Sequence, residues 1–480
     1  MSSSLSYIST RGSAPRLGFE DVLLAGLARD GGLYVPETWP QLTKGEIESL
    51  AGLPFAELAV AIIERFTGGA IARADLMRMA RDAYATFGHA AVTPLVQIDP
   101  ETFVLELFHG PTLAFKDVAM QLLAGLMDHV LEKRGQRVTI VGATSGDTGG
   151  AAIEAFRGSH RCDVVILFPD GRVSDVQRRM MTTPGESNVH AVAIDGTFDD
   201  CQTLVKAMFN DHAFRDRVHL AGVNSINWAR IVAQVTYYFA AATALGAPHR
   251  KVAFAVPTGN FGDIFAGYVA RCMGLPIADL IIASNANDIL PRTLQSGAYE
   301  MRDVVATSSP SMDIQISSNF ERYLFEASGR EDGYVRALMG SLAQSRRFEV
   351  GERVGDHMRR DFSASSASEA RVADAIRKVK ETSAYLMDPH TACGYVAAVD
   401  ATSRAGSVAH GRDVAKVILS TAHPAKFPDA MQKITGAGPP LPERLSNLMT
   451  EPERFERVPN DLAAIEAFVE ARARAVHEET

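Results

Sequence analysis

From residue 102 onward the chain repeats one pattern: a short apolar run, a polar turn, then a stretch of helical period. The apolar runs fall at residues 103–108, 138–141, 164–168, 189–194, 219–223, 252–256, 280–283 and 414–420. Nearly unbroken apolar strands separated by helices have to be covered on both faces. A mainly parallel sheet with helices on each side does this. The fold expected is therefore α/β and doubly wound. In such sheets ligands bind beyond the carboxyl ends of the strands, so the turns after these runs are where chemistry should lie.

Ahead of this pattern, residues 1–95 carry helical periodicity at 19–27, 47–50, 55–66 and 71–84, broken by Gly31–Gly32, Pro36 and Pro40. An N-terminal, mostly helical region is expected there. Residues 284–380 are less regular, with a polar loop at 307–318 and many arginines and serines at 339–368. They read as an elaboration on the core, part of it a mobile cover.

Composition narrows the function class. Of 480 residues, 46% are hydrophobic and 22% charged, and the formal net charge is -9. A chain this acidic is a poor match for nucleic acid. No apolar run approaches the ~20 residues needed to span a bilayer, and residues 1–12 lack the apolar core of a secretory signal, so the cytoplasm is the expected location. Cys162, Cys201, Cys272 and Cys393 are widely spaced. Free thiols in a reducing compartment are expected, and no His/Glu pattern suggests a metal site.

Five turns carry candidate chemistry. Phe108-His-Gly-Pro-Thr-Leu-Ala-Phe-Lys-Asp117 places Lys116 at the mouth of a helix whose stripe is Val118, Leu122, Leu126 and Val130. A helix N-terminus carries partial positive charge, so a lysine there makes sense if its amine is uncharged or bound as an imine. Gly259-Asn260-Phe261-Gly262-Asp263 joins a strand to a helix, and its outward amides with the helix dipole behind them make a phosphate cup. Asp263 is expected to cap its own helix. Ser145, Asp147 and Thr148, in the hydroxyl-rich 144–150 turn, open another helix and suit a carboxylate, though N-capping by Ser145 or Thr148 is the plainer reading. Ser225, Asn227 and Arg230 begin a long helix and could clamp a second phosphate. Thr421 follows the 414–420 strand, where a hydroxyl could bond a ring nitrogen or cap the strand. One lysine, one phosphate cup, one carboxylate loop and one hydroxyl around a shared cleft fit pyridoxal 5'-phosphate held as a Schiff base.

The chain resembles the threonine synthases of bacterial and fungal type, within the fold-type II pyridoxal-phosphate superfamily. The resemblance runs nearly end to end. It rests on Tyr-Ile-Ser-Thr-Arg-Gly at 7–12, Asp-Gly-Gly-Leu-Tyr-Val-Pro-Glu at 30–37, the lysine motif and Ser-Gly-Asp-Thr-Gly at 145–149. Asn-Ser-Ile-Asn-Trp-Ala-Arg at 224–230, Pro-Thr-Gly-Asn-Phe-Gly-Asp at 257–263, Ser-Ser-Asn-Phe-Glu-Arg at 317–322 and Thr-Ala-His-Pro-Ala-Lys-Phe at 421–427 complete it. The resemblance implies two α/β domains behind the N-terminal region: a large one from 96–135 and 215–480, including the elaboration, and a small one from 136–214. It implies that Lys116 binds the cofactor aldehyde, that Gly259, Asn260, Phe261, Gly262 and Asp263 hold its phosphate, and that Thr421 partners its ring nitrogen. Ser145, Asp147 and Thr148 then match the substrate-carboxylate loop, although many superfamily members carry asparagine at the Asp147 position. Ser225, Asn227 and Arg230 match a substrate-phosphate segment, with Arg11 a weaker candidate.

The implied reaction converts O-phospho-L-homoserine and water to L-threonine and phosphate, in a monomer or small homo-oligomer. A serine or threonine dehydratase of the same superfamily is the nearest alternative. An idle homologue serving as a binding protein is disfavoured by Lys116, and a nucleotide-phosphate binder by the lack of a Lys-Ser/Thr after the glycines. The roles of His109, His423 and Lys426 stay open at this level.

Overall fold

A computed structural model describes residues 5–403 and 414–477. Its framework is two twisted sheets. The larger has six strands in the order Ser363–Ser366, Ile277–Ser284, Val252–Pro257, Ala415–Ser420, Thr102–Glu106 and Leu95–Gln97. All neighbours are parallel except the last pair, which is antiparallel. The smaller has five parallel strands in the order Glu456–Val458, Val189–Ile194, Cys162–Pro169, Val138–Ala143 and Leu220–Ala221. The central strands Val252–Pro257, Cys162–Pro169 and Ala415–Ser420 are buried at every position. That is why they read as apolar runs rather than as alternation. Lys416, which interrupts the last of them, reaches Glu101 Oε2 at 2.9 Å.

Helices fill the space between and outside the sheets. Lys116–Arg134 buries far more than its expected stripe: Met120, Leu123, Met127 and Leu131 are inside as well. It is flanked by Asp147–Phe156, Arg73–Tyr84 and Trp228–Ala244, and a helix enclosed on most sides shows little amphipathicity. Trp228–Ala244 packs in turn on Phe55–Thr67 and Gly262–Cys272.

Three findings extend the sequence reading. The N-terminal region is mostly helical as expected, but it also holds an antiparallel pair, Tyr7–Ser9 with Tyr34–Pro36. Within the 284–380 stretch, Ser363–Ser366 is the edge strand of the large sheet. The smaller sheet takes an edge strand from Glu456–Val458, and Leu462–Glu470 places Ile465, Phe468 and Val469 in its core. No helix among the described residues is long and apolar enough to cross a membrane.

Candidate active site

Turns at the carboxyl ends of both sheets converge on one cleft of about 430 Å³. Lys116, Asp147, Thr148, Ser225, Arg230, Gly259, Asn260, Phe261, Gly262, Asp263 and Thr421 all line it. Ser145 and Asn227 are not among its lining residues.

Lys116 opens its helix and is buried. Its segment is fixed from both sides. The Phe115 amide donates to the Thr421 carbonyl at 2.9 Å, and the His423 amide to the Leu113 carbonyl at 3.0 Å. Asp117 accepts from the Thr112 amide at 2.8 Å and the Thr112 hydroxyl at 2.6 Å. Burial pushes Asp117 up to about 6, against those two bonds. Burial also lowers the Lys116 amine below its ordinary value. Asp147 pulls it back up, and the charges of Lys426 and Arg230 press it down further. The direction favours a free base on Lys116.

Asp147 is the polar hub. Lys116 Nζ lies 3.3 Å from its Oδ2, and Ser311 Oγ donates to the same oxygen at 3.0 Å. Gln177 Nε2 donates to Oδ1 at 2.9 Å, and Lys426 Nζ is 2.7 Å from it. Burial opposes ionisation here, but Lys426, Lys116 and Gln177 outweigh it and hold Asp147 well below the usual carboxylate range.

The 259–263 turn points its carbonyls inward. Its carbonyls are taken: Gly259 O accepts from Ser317 Oγ at 2.7 Å, and Asn260 O from the Asn319 amide at 3.0 Å and Asn319 Nδ2 at 3.1 Å. Among the described residues, the Gly259, Asn260 and Phe261 amides donate to no other protein group. Phe261 stands in the left-handed region at φ 62°, its ring wedged against Phe320 and Phe362. Such strain is stored where a site needs a particular backbone shape.

Asp263 does not cap the helix it belongs to. It lies inside Gly262–Cys272, and its carboxylate accepts from Tyr237 at 2.5 Å and Tyr238 at 3.0 Å. Burial raises it to about 7, opposed by both hydroxyls. The 144–150 turn also caps differently from expectation. Thr144 Oγ1, not Ser145 or Thr148, accepts from the Gly146 and Gly149 amides, each at 2.9 Å.

Arg230 is buried, and among the described residues its one hydrogen-bond partner is the Val223 carbonyl, at 3.1 Å. Its Nε has none, and burial lowers the guanidinium to about 10. A cation buried beside a cleft without a carboxylate awaits an anion. Asn227 instead caps the helix through Ala229 and ties it to the Leu23 carbonyl. Arg11 is away from the cleft, paired with Glu321 at 2.9 Å. His109 and His423 line a separate groove, where His109 meets Glu106 Oε2 at 2.7 Å and burial pushes His423 down to about 4.

Sequence reasoning missed Ser311, Gln177 and His390. His390 lines the cleft, with Nδ1 2.8 Å from Asp388 and Nε2 accepting from the Ser311 amide at 3.3 Å. The Asp-Pro-His spacing at 388–390 is visible in the chain, but nothing local says which way it faces.

Comparison with known proteins agrees along the whole chain. Residues 6–84 match the family described as threonine synthase N terminus, 86–420 the pyridoxal-phosphate dependent enzymes, and 391–469 threonine synthase, C-terminal. The chain is 52% identical to a threonine synthase of Pseudomonas aeruginosa, over 96% of this chain and 97% of that one. A solved structure of a pyridoxal-phosphate-bound threonine synthase from Brucella melitensis is 59% identical and superposes with a TM-score of 0.94, covering 98% of this chain and 100% of that one. The yeast threonine synthase structure is 40% identical, with a TM-score of 0.91 over 98% of this chain and 99% of that one.

Proposed function

Because the chain belongs to the threonine synthase family, we propose that its cleft carries out that family's reaction through the residues assigned below. It is a pyridoxal-phosphate-dependent lyase. Its reaction takes O-phospho-L-homoserine and water to L-threonine and phosphate, the last step of L-threonine biosynthesis. One observation carries the residue assignments: a buried lysine amine and a turn of unpartnered amides open on the same cleft.

The residues present fit the cofactor. The Gly259–Gly262 amides and the helix end behind them would take its phosphate, Lys116 would meet its aldehyde, and the Thr421 hydroxyl would serve its ring nitrogen. When bound, pyridoxal phosphate supplies an aldehyde that condenses with amines and a ring that spreads negative charge from the adjacent carbon. With the cofactor in place, the Lys116 amine would take the α-proton of the substrate and move later protons at the neighbouring carbons. Thr148 and the helix end behind it hold the substrate carboxylate. Ser145, outside the lining, has no direct part. Asp147 is already pinned between two ammonium groups and serves them rather than a second anion. Arg230, with Ser225 beside it, takes the substrate phosphate, while Asn227 shapes the helix that carries Arg230.

We assign residues 1–95 to an N-terminal region, 136–214 with strand Leu220–Ala221 and 456–477 to the smaller domain, and most of the remainder to the larger one. All the named residues come from one chain, so a monomer or a small homo-oligomer in the cytoplasm would carry the same site. The test is to incubate purified protein with O-phospho-L-homoserine and, separately, with L-threonine. Phosphate release from the first is expected, and keto-acid formation from the second without phosphate release would make it a dehydratase. Borohydride trapping and peptide mapping should label Lys116 alone.

A further inference from the structure

We propose that Lys426 is a positioning residue for the reaction: its ammonium shares the Asp147 carboxylate with Lys116 and so leaves the Lys116 amine free to accept a proton. This rests on Lys116 being the reacting amine. Lys426 closes the short Pro424–Lys426 turn after the Ala415–Ser420 strand and is buried. It does not line the cleft, so it is placed to act through a neighbour. Its Nζ donates to the Thr112 carbonyl at 2.7 Å and lies 2.7 Å from Asp147 Oδ1. Lys116 lies at 3.3 Å from Oδ2, and the carboxylate is its one hydrogen-bond acceptor among the described residues.

Two ammonium groups and one carboxylate out of water form a cluster with a surplus positive charge, and Arg230 adds to it from the cleft side. Removing charges from water is expensive, and the weaker-held one neutralises first. Lys426 has the shorter contact and a second acceptor. Lys116 has the longer contact and Arg230 facing it. Lys116 is therefore the weaker-held of the two amines. Gln177 and Ser311 complete the carboxylate's shell and hold it in place between the two amines. The same contacts tie the lysine segment and the 421–427 turn of the large sheet to the 144–148 turn of the small one.

The experiment compares full-length parent, Lys426→Met, Lys426→Arg and the Lys426→Met/Asp147→Asn pair. Two readouts are taken: the pH midpoint of Lys116 acylation by acetic anhydride in cofactor-stripped protein, quantified by peptide mapping, and the acid limb of kcat in the holoenzyme, where substrate has freed the amine. With Lys426 gone, Asp147 has Lys116 as its only ammonium partner, so both midpoints should rise by about one pH unit, a tenfold loss of free amine at a fixed pH below them. Lys426→Arg should stay near the parent. The double variant should bring the midpoint back down, because the carboxylate that captured the proton is gone. Unchanged midpoints in Lys426→Met, with only its thermal stability reduced, would overturn the proposal. Should that variant not fold, an Asp147→Asn/Lys426→Met midpoint above the parent's would overturn it equally. Loss of borohydride label from Lys116 in the parent would instead remove the premise.

Discussion

At the scale of single residues, burial decides what sequence leaves ambiguous. Arg230 stands on a helix, where a lone arginine usually faces solvent. Among the described residues it is buried with one carbonyl partner and an unpartnered Nε, which fits the anion-binding role proposed for it. Arg230→Gln should raise KM for O-phospho-L-homoserine and lower kcat/KM roughly 10- to 150-fold, the loss of ~1.5–3 kcal/mol from a charged hydrogen bond. Its thermal stability should hold or rise, because an unpaired buried charge is removed. Steady-state kinetics beside a melting curve checks both. Asp263 makes a pH prediction. Its pKa is raised to about 7 in the fold from an ordinary value near ~3.9. Between those values the folded chain keeps a proton that the unfolded chain has released. Its contribution to stability is therefore full below the lower value and lost as pH rises through about 7. Asp263→Asn removes this dependence. Relative to the parent, that variant should gain melting temperature on going from about pH 5 to about pH 8, and a constant difference across that range would contradict the assignment.

At the scale of elements, the lysine helix depends on a glycine for reasons of space. A Cβ on Gly110 would sit 2.3 Å from Asp117 Cβ and 2.5 Å from its Oδ2. Gly110→Ala must push Asp117 off the Thr112 amide and hydroxyl that it accepts from, and so disturb the first turn bearing Lys116. A loss of ~1–3 kcal/mol is expected, as for other overpacked sites, together with weaker borohydride labelling of Lys116. Calorimetry and peptide mapping read the two effects. The same element shows what the sequence could and could not convey. The inner strands of both sheets were legible because full burial writes itself as apolar runs. Ser363–Ser366 and Glu456–Val458 were not, because edge strands of hydroxyl or charged residues carry no such run and are defined only by their partners. In the site, the motif turns were legible because strand ends and glycines mark them. Ser311, Gln177 and His390 were not, nor was the partner of Lys426, whose motif was visible. Each arrives from a separate stretch of chain, and only the packed structure shows that they face Asp147 or the cleft.

At the scale of the whole molecule, the N-terminal region braces the 259–263 turn. Arg11 grips Glu321 through Nε at 3.0 Å and Nη2 at 2.9 Å, and Thr10 Oγ1 adds a third bond to the same carboxylate at 2.6 Å. Glu321 belongs to the Phe320–Ala327 helix. Just before that helix, Ser317 and Asn319 hold the carbonyls of Gly259 and Asn260, which leaves the amides of the turn facing the cleft. Arg322, one residue on, bonds the Tyr34 carbonyl at 3.0 Å and the Ile226 carbonyl at 2.7 Å, so the same helix also braces the Arg230 segment. The resemblance made Arg11 a candidate for substrate, whereas the contacts make it a support. Arg11→Ala should therefore lower stability by ~1–3 kcal/mol, below the range for a fully buried pair because the arginine is partly exposed. It should weaken pyridoxal phosphate binding severalfold, measured by titrating stripped protein. At saturating cofactor its KM for O-phospho-L-homoserine should stay close to the parent value, in contrast to Arg230→Gln. A large KM increase with unchanged melting and cofactor affinity would return Arg11 to the substrate site and break the chain of contacts that runs from the N-terminus to the 259–263 turn.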